Sequence, residues 1–99
     1  MEISKTQEFE RWFRDETVKS QGQIIARLTK IQVYNHFGDY KLLGNSLLEL
    51  RWKSGRRIYF TVYQEKDKIV LLLLGGYKDG QNKDIKKAKT LIAKYKKET

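Results

Sequence analysis

Leu47-Leu48-Glu49-Leu50-Arg51-Trp52-Lys53-Ser54-Gly55-Arg56-Arg57-Ile58-Tyr59-Phe60-Thr61-Val62-Tyr63 reads as a β-hairpin, and its register decides how the remaining chain packs. Leu48, Leu50 and Trp52 alternate with Leu47, Glu49, Arg51 and Lys53, while Ile58, Phe60 and Val62 alternate with Arg57, Tyr59, Thr61 and Tyr63. A period of two marks strands with one apolar face. The two apolar sets must share that face, because slipping by one residue turns every side chain over. A two-residue loop, Ser54-Gly55, would pair Trp52 with Arg57 and mix the faces. A three-residue loop, Lys53-Ser54-Gly55 with left-handed glycine, instead pairs Leu50 with Ile58 and Leu48 with Phe60. It also sets Arg51 directly opposite Arg57.

Like charges facing each other across strands are destabilising. Such a pair is retained cheaply where water or an anion fills the gap, so Arg57→Ala is expected to leave the melting temperature unchanged or slightly raised. The second face displays Glu49, Arg51, Arg57, Tyr59, Thr61 and Tyr63. Arginines interleaved with aromatic rings suit single-stranded RNA, whose phosphates they hold and whose bases stack on the rings. A plainly solvated sheet face is the other reading of the same residues.

Working outward, Glu2 to Ser4 reads as a short edge strand, and Ser4 or Thr6 as the cap of a helix carrying Phe9, Trp12 and Phe13, with Gln7 able to complete a capping box. Ser20-Gln21-Gly22 is expected to break it. A second helix over 23–34 lines up Ile24, Leu28 and Ile31, and so short a link predicts an antiparallel helical hairpin. Asn35 to Gly44 reads as loop. Beyond the β-hairpin, a charged turn from Glu65 to Lys68 leads to the apolar run Ile69–Leu74, which suits a central strand covered on both faces. After Gly75-Gly76 a last helix over 81–97 places Ile85, Ala88, Leu91, Ile92 and Tyr95 on one stripe and seven lysines elsewhere.

Ninety-nine residues, 39% apolar and 33% charged, make one globular domain over 1–99. Without cysteine there is no disulfide or thiolate chemistry, and with His36 alone no usual zinc site, so no metal or cofactor is expected. The polar N-terminus shows no signal peptide, and the longest apolar run is far short of a membrane span, so a cytoplasmic protein is expected. Residues 1–50 carry seven basic and seven acidic side chains; residues 51–99 carry fourteen and five, so the net charge of +9 lies in the second half. That asymmetry points to a polyanionic partner, RNA above all. No catalytic triad or P-loop is present. Cleavage of RNA at its own 2′-hydroxyl needs that hydroxyl activated, the phosphorane stabilised and the 5′-oxygen protonated. Arginine supplies the second without changing protonation, and lysines among crowded cations could supply the others.

The blocks FGDYKLLG, LLELRW, RRIYF, IVLLLLGG and YKDGQNKDIKKAK, in that order, resemble the RelE/ParE superfamily of bacterial toxins. The nearest branch is the HigB-like one, often called addiction module killer protein. The most specific piece is Gly75-Gly76-Tyr77-Lys78 with Gln81 and Asp84-Ile85. The resemblance implies an α+β, RelE-like fold: an antiparallel sheet on an N-terminal helical hairpin, with a C-terminal helix. It implies a toxin–antitoxin toxin that cleaves messenger RNA in the ribosome, neutralised by a cognate antitoxin that is often a helix-turn-helix protein. Arg57 would hold the scissile phosphate, Arg51 matches the arginine of the family's ELR block, and Lys78 matches a basic active-site position. Lys53, Arg56 and Tyr59 would position RNA, and Lys83, Lys86 and Lys87 would dock on ribosomal RNA. The superfamily also holds gyrase inhibitors, and Ser54-Gly55-Arg56-Arg57 is shorter than the hairpin of most relatives. A non-enzymatic toxin and an RNA-binding homologue that no longer cleaves are therefore the alternatives.

Overall fold

The computed structural model describes residues 1–64 and 68–97. In chain order these form β1 (Glu2–Lys5), α1 (Gln7–Arg14), α2 (Val18–Tyr34), β2 (Tyr40–Gly44), β3 (Leu47–Arg51), β4 (Arg56–Gln64), β5 (Lys68–Tyr77), a short 3-10 turn (Lys78–Gly80) and α3 (Gln81–Lys97). The charged turn expected at 65–68 falls mostly on 65–67, outside the described residues.

The hairpin register follows the apolar alternation: Leu48 pairs with Phe60, Leu50 with Ile58 and Arg51 with Arg57. Gly55 takes the left-handed conformation at φ 98°. The Trp52 N–H donates to the Arg56 carbonyl at 3.1 Å, closing the three-residue loop. The sheet has the order β1-β5-β4-β3-β2; β2 to β5 are antiparallel neighbours, and β1 runs parallel to β5 at one edge. The sheet is thus mixed rather than antiparallel throughout. Returning from β1 to its neighbour uses most of the chain, a crossover that parallel pairing requires.

Helices cover both faces. Phe9 of α1 and Ile24, Leu28 and Ile31 of α2 pack on Leu50, Ile58, Phe60, Val70 and Leu72. Ala88 and Leu91 of α3 pack on Leu47, Tyr59, Leu71, Leu73 and Leu74. The run Ile69–Leu74 is continuous in apolar residues because β5 is sandwiched between these layers.

Two boundaries differ from the sequence reading. The helices part at Asp15–Thr17, and α2 runs through Gly22, because the Thr17 hydroxyl accepts the Ser20 N–H at 3.1 Å and caps α2 there. The segment 35–44 is loop only as far as Asp39. Asn35 ends α2 in the left-handed region, and Asn45 and Ser46, both at positive φ, turn β2 tightly into β3.

Thr6 joins α1 to the sheet. Its hydroxyl accepts the Phe9 N–H at 3.0 Å and donates to the Leu73 carbonyl at 2.7 Å, where β5 bulges between its pairings with Tyr59 and Phe60. Thr6→Val keeps the shape and loses both bonds. We expect a loss of about 1–2 kcal/mol, seen in thermal denaturation as a Tm lower by roughly 5–15 °C. An unchanged Tm would show that the cap contributes nothing.

Candidate active site

Strand alternation and register put two rows of side chains under α3. One row is Arg51, Arg57 and Gly76; the next is Glu49, Tyr59 and Leu74. Glu49 is 0% exposed. Its Oε1 lies 3.6 Å from Nε of Arg51 and 3.6 Å from Nε of Arg57. Its Oε2 accepts a hydrogen bond from Gln81 Nε2 at 2.8 Å, tying the first turn of α3 to β3. The opposed arginines are therefore bridged by a protein carboxylate, and the gap needs neither water nor a bound anion. Burying a carboxylate costs several kcal/mol unless paired, so this cluster stands or falls together.

Arg57 is 6% exposed, and its Nη1 donates to the carbonyls of Trp52 at 3.1 Å and Arg56 at 3.0 Å. Arg51 lies at the mouth, its side chain 39% exposed. The face expected to be an open aromatic platform is thus a buried layer. Tyr59 is 0% exposed beneath α3 and offers no ring to a base, while Glu49 and Thr61 are buried with it. The physical reason is that α3's apolar stripe needs a partner and the sheet's second face provides one. Burial first, then the negative charges of Glu49 and Asp84, push the Tyr59 phenol up, against the opposing pull of Arg57, so it stays protonated.

Arg56 points to the opposite face, and so departs from its expected place beside RNA. Its Nη2 donates to Ser20 Oγ at 2.5 Å and Gln23 Oε1 at 3.1 Å, its Nε lies 3.9 Å from Glu16, and its guanidinium sits 5.3 Å from the centre of the Trp52 ring. Arg27 stacks on that ring at 4.3 Å and clamps the carbonyls of Arg51, Phe37 and Asp39. Arg56 is a tie between hairpin and α2.

Lys53 is exposed in the hairpin turn. Lys78 is exposed at the same end of the sheet as Arg57; its N–H donates to the Gly55 carbonyl at 2.8 Å, and it lines an open hollow with Ser54, Gly55, Tyr77 and Asp79. Lys83, Lys86 and Lys87 are exposed on α3. Asp84, half-buried among them, lies where a Gly76 side chain would be: a Cβ there would meet its Oδ2 at 2.1 Å. Burial raises the Asp84 carboxyl above its ordinary value, Lys87 and Lys83 lower it, and Asp79 raises it.

Sequence reasoning named Arg51, Arg57 and Lys78 but gave no role to Glu49, Gln81 or Asp84. Glu49 could have been found from register: it precedes Arg51 by two on one strand and sits diagonally from Arg57 on the next, within reach of both. Among the described residues no three His, Cys, Asp or Glu side chains gather as metal ligands, and no helix is long and apolar enough to cross a membrane. Arg51, Lys53 and Lys78 place exposed cations at this end of the sheet.

No family model matches the chain. An uncharacterized protein of Haemophilus influenzae is 33% identical over 92 residues, covering 92% of each chain. The isolated Escherichia coli RelE toxin superposes with a TM-score of 0.64 at 18% identity, over 77% of this chain and 82% of that one. A YoeB/ParE toxin from Agrobacterium tumefaciens gives 0.58 at 14% identity, over 78% and 98%. The chain belongs to one family with the Haemophilus protein, and over most of its length it shares the fold of the RelE and YoeB/ParE toxins.

Proposed function

We propose that this chain is the toxin of a toxin–antitoxin pair, a HigB-like member of the RelE/ParE superfamily that cleaves messenger RNA in the ribosome. The supporting observation is the arrangement of Arg51 and Arg57 side by side over Glu49, with Lys78 at the same end of the sheet. Two guanidinium groups stabilise the charge that builds on a phosphorane without titrating. Lys78 is then the group that moves a proton at the scissile bond. Substrate enters at Arg51, the open end of the cluster. The cognate partner is an antitoxin with a helix-turn-helix domain, and the action takes place in the cytoplasm, where ribosomes are.

The test is cleavage of messenger RNA on translating ribosomes by purified protein, with Arg51→Ala and Lys78→Ala as controls. Cut sites for the wild type and loss of cutting in both variants are expected; a wild type that leaves the message intact overturns the reading. The burial of Tyr59 favours a second reading, because without a stacking platform the fold also suits a protein target. Inhibition of gyrase supercoiling by a protein that leaves RNA intact would establish that alternative.

The lysines of α3 give a separate expectation. Each phosphate contacted contributes about 0.7 to the slope of log affinity against log salt for single strands. Replacing Lys83, Lys86 and Lys87 together by Gln should reduce the slope for ribosome or RNA binding by about 2, with an unchanged circular dichroism spectrum. An unchanged slope would mean that this face of α3 meets only water.

A further inference from the structure

We infer that Glu49 is the positioning residue of the arginine pair: its buried carboxylate draws the Nε edges of Arg51 and Arg57 inward and leaves the fork of Arg51 and the Nη2 of Arg57 for phosphate. This rests on the nuclease reading proposed above. Three observations carry it. First, the two arginines face each other across adjacent strands, where their charges would drive them apart. Second, both approach the same atom, Glu49 Oε1, through the same atom, Nε, at 3.6 Å. Third, neither Nε, nor Oε1 itself, has a hydrogen-bond partner among the described residues, although all three are buried.

An arrangement made for stability alone would turn the planar forks to give bidentate bonds to the carboxylate. Here the forks present their inner edges at ion-pair distance only. Arg57 spends Nη1 on the Trp52 and Arg56 carbonyls, which fixes the plane of its fork. Its Nη2 and both Nη atoms of Arg51 make no hydrogen bond among the described residues. Those are the donors a phosphate would take. Gln81 holds the other oxygen of Glu49 at 2.8 Å and keeps the carboxylate from rotating away. Glu49 therefore acts through the arginines and touches no reacting atom. Its charge also competes with phosphate for them, so it trades ground-state affinity for orientation.

The experiment compares wild type, Glu49→Gln, Glu49→Asp and Gln81→Ala at a temperature where circular dichroism shows each folded. Cleavage on ribosomes gives kcat and KM, and a 2′-O-methylated RNA, which cannot be cut, gives affinity without chemistry. Glu49→Gln is expected to lower kcat by tenfold or more while binding the uncleavable RNA as tightly as the wild type or more tightly. Glu49→Asp, which keeps the charge, should recover part of kcat. Gln81→Ala should lower kcat severalfold with the charge intact, and it carries the test should Glu49→Gln fail to fold. A wild-type kcat in folded Glu49→Gln, or in Gln81→Ala where that variant decides, would overturn the inference; so would an equal weakening of RNA binding and turnover. A wild type that cleaves nothing overturns the nuclease reading instead; the arm with uncleavable RNA then still decides whether Glu49 competes for the arginines, and weaker binding by Glu49→Gln would overturn the inference too.

Discussion

Arg57→Ala is expected to lower both the stability of this protein and the RNA cleavage proposed for it, and to do so by separable routes. The guanidinium is nearly enclosed and shares Glu49 with Arg51. Breaking a buried pair costs about 3–5 kcal/mol when one partner is left behind. Arg51 remains to hold the carboxylate, so the lower end, about 3 kcal/mol, is the expected figure. For a domain of this size that is a Tm lower by roughly 12–24 °C. Alternation alone suggested the opposite sign, an exposed like-charge pair whose removal is neutral or helpful. The carboxylate between the arginines reverses it. Activity per folded molecule should also fall by about a hundredfold or more, as for loss of one donor to a developing oxyanion. Thermal melts at several salt concentrations measure the first effect and cleavage below the melting range measures the second. A Tm equal to the wild type would show that the cluster contributes nothing to the fold.

The second large effect is expected at Gly75. A Cβ on this residue would lie 2.1 Å from the Trp12 ring, and that ring is wedged between the strand and Phe9, whose centroid is 5.8 Å away. Neither backbone nor indole can yield the necessary distance without moving α1. Gly75→Ala should therefore cost about 3 kcal/mol, the upper end of ordinary overpacking, or roughly 12–24 °C in Tm. Gly76→Ala should cost less, because the atom in its way is the tip of the Asp84 carboxylate, which can rotate. Combining Gly75→Ala with Trp12→Ala should recover stability relative to the sum of the single changes. Equal Tm values for Gly75→Ala and Gly76→Ala would contradict the assignment of the two glycines to opposite faces.

These cases also mark what could be read from the chain. The register was legible because Leu48, Leu50, Ile58 and Phe60 leave one way to share a face, and Gly55 fits the loop that allows it. The last helix was legible from its stripe and its lysines. The limits of α2 were misread because Gly22 weakens a helix locally while Thr17, an ordinary residue in an acidic stretch, supplies the cap. The strand β2 was hidden because its turn uses Asn45 and Ser46 at positive φ rather than an Asn-Gly pair. The site was legible in part. Polar residues at every second position of β3 and β4 look the same whether they face water or one another. Only the docking of α3 onto Tyr59 distinguishes the two cases, and that is a property of the assembled layers. Arg56 was misplaced for a simpler reason: it directly precedes Arg57, and neighbours on a strand point to opposite sides.

The parallel pairing of β1 with β5 has a consequence in time. Glu2 pairs with Ile69 and Lys5 with Leu72, partners that lie 67 residues later in the chain. During synthesis the first strand must wait, unpaired, until β5 has left the exit tunnel. Thr6 likewise waits for the carbonyls of Leu72 and Leu73 before α1 has its seat. Contacts so distant in sequence slow the search for the native state. A nascent chain of this protein can hold its β2–β3–β4 meander early, yet it completes the sheet only once β5 has followed. The arginine cluster is complete only when α3, which follows β5 in the chain, settles over Glu49 and Gln81 takes its carboxylate.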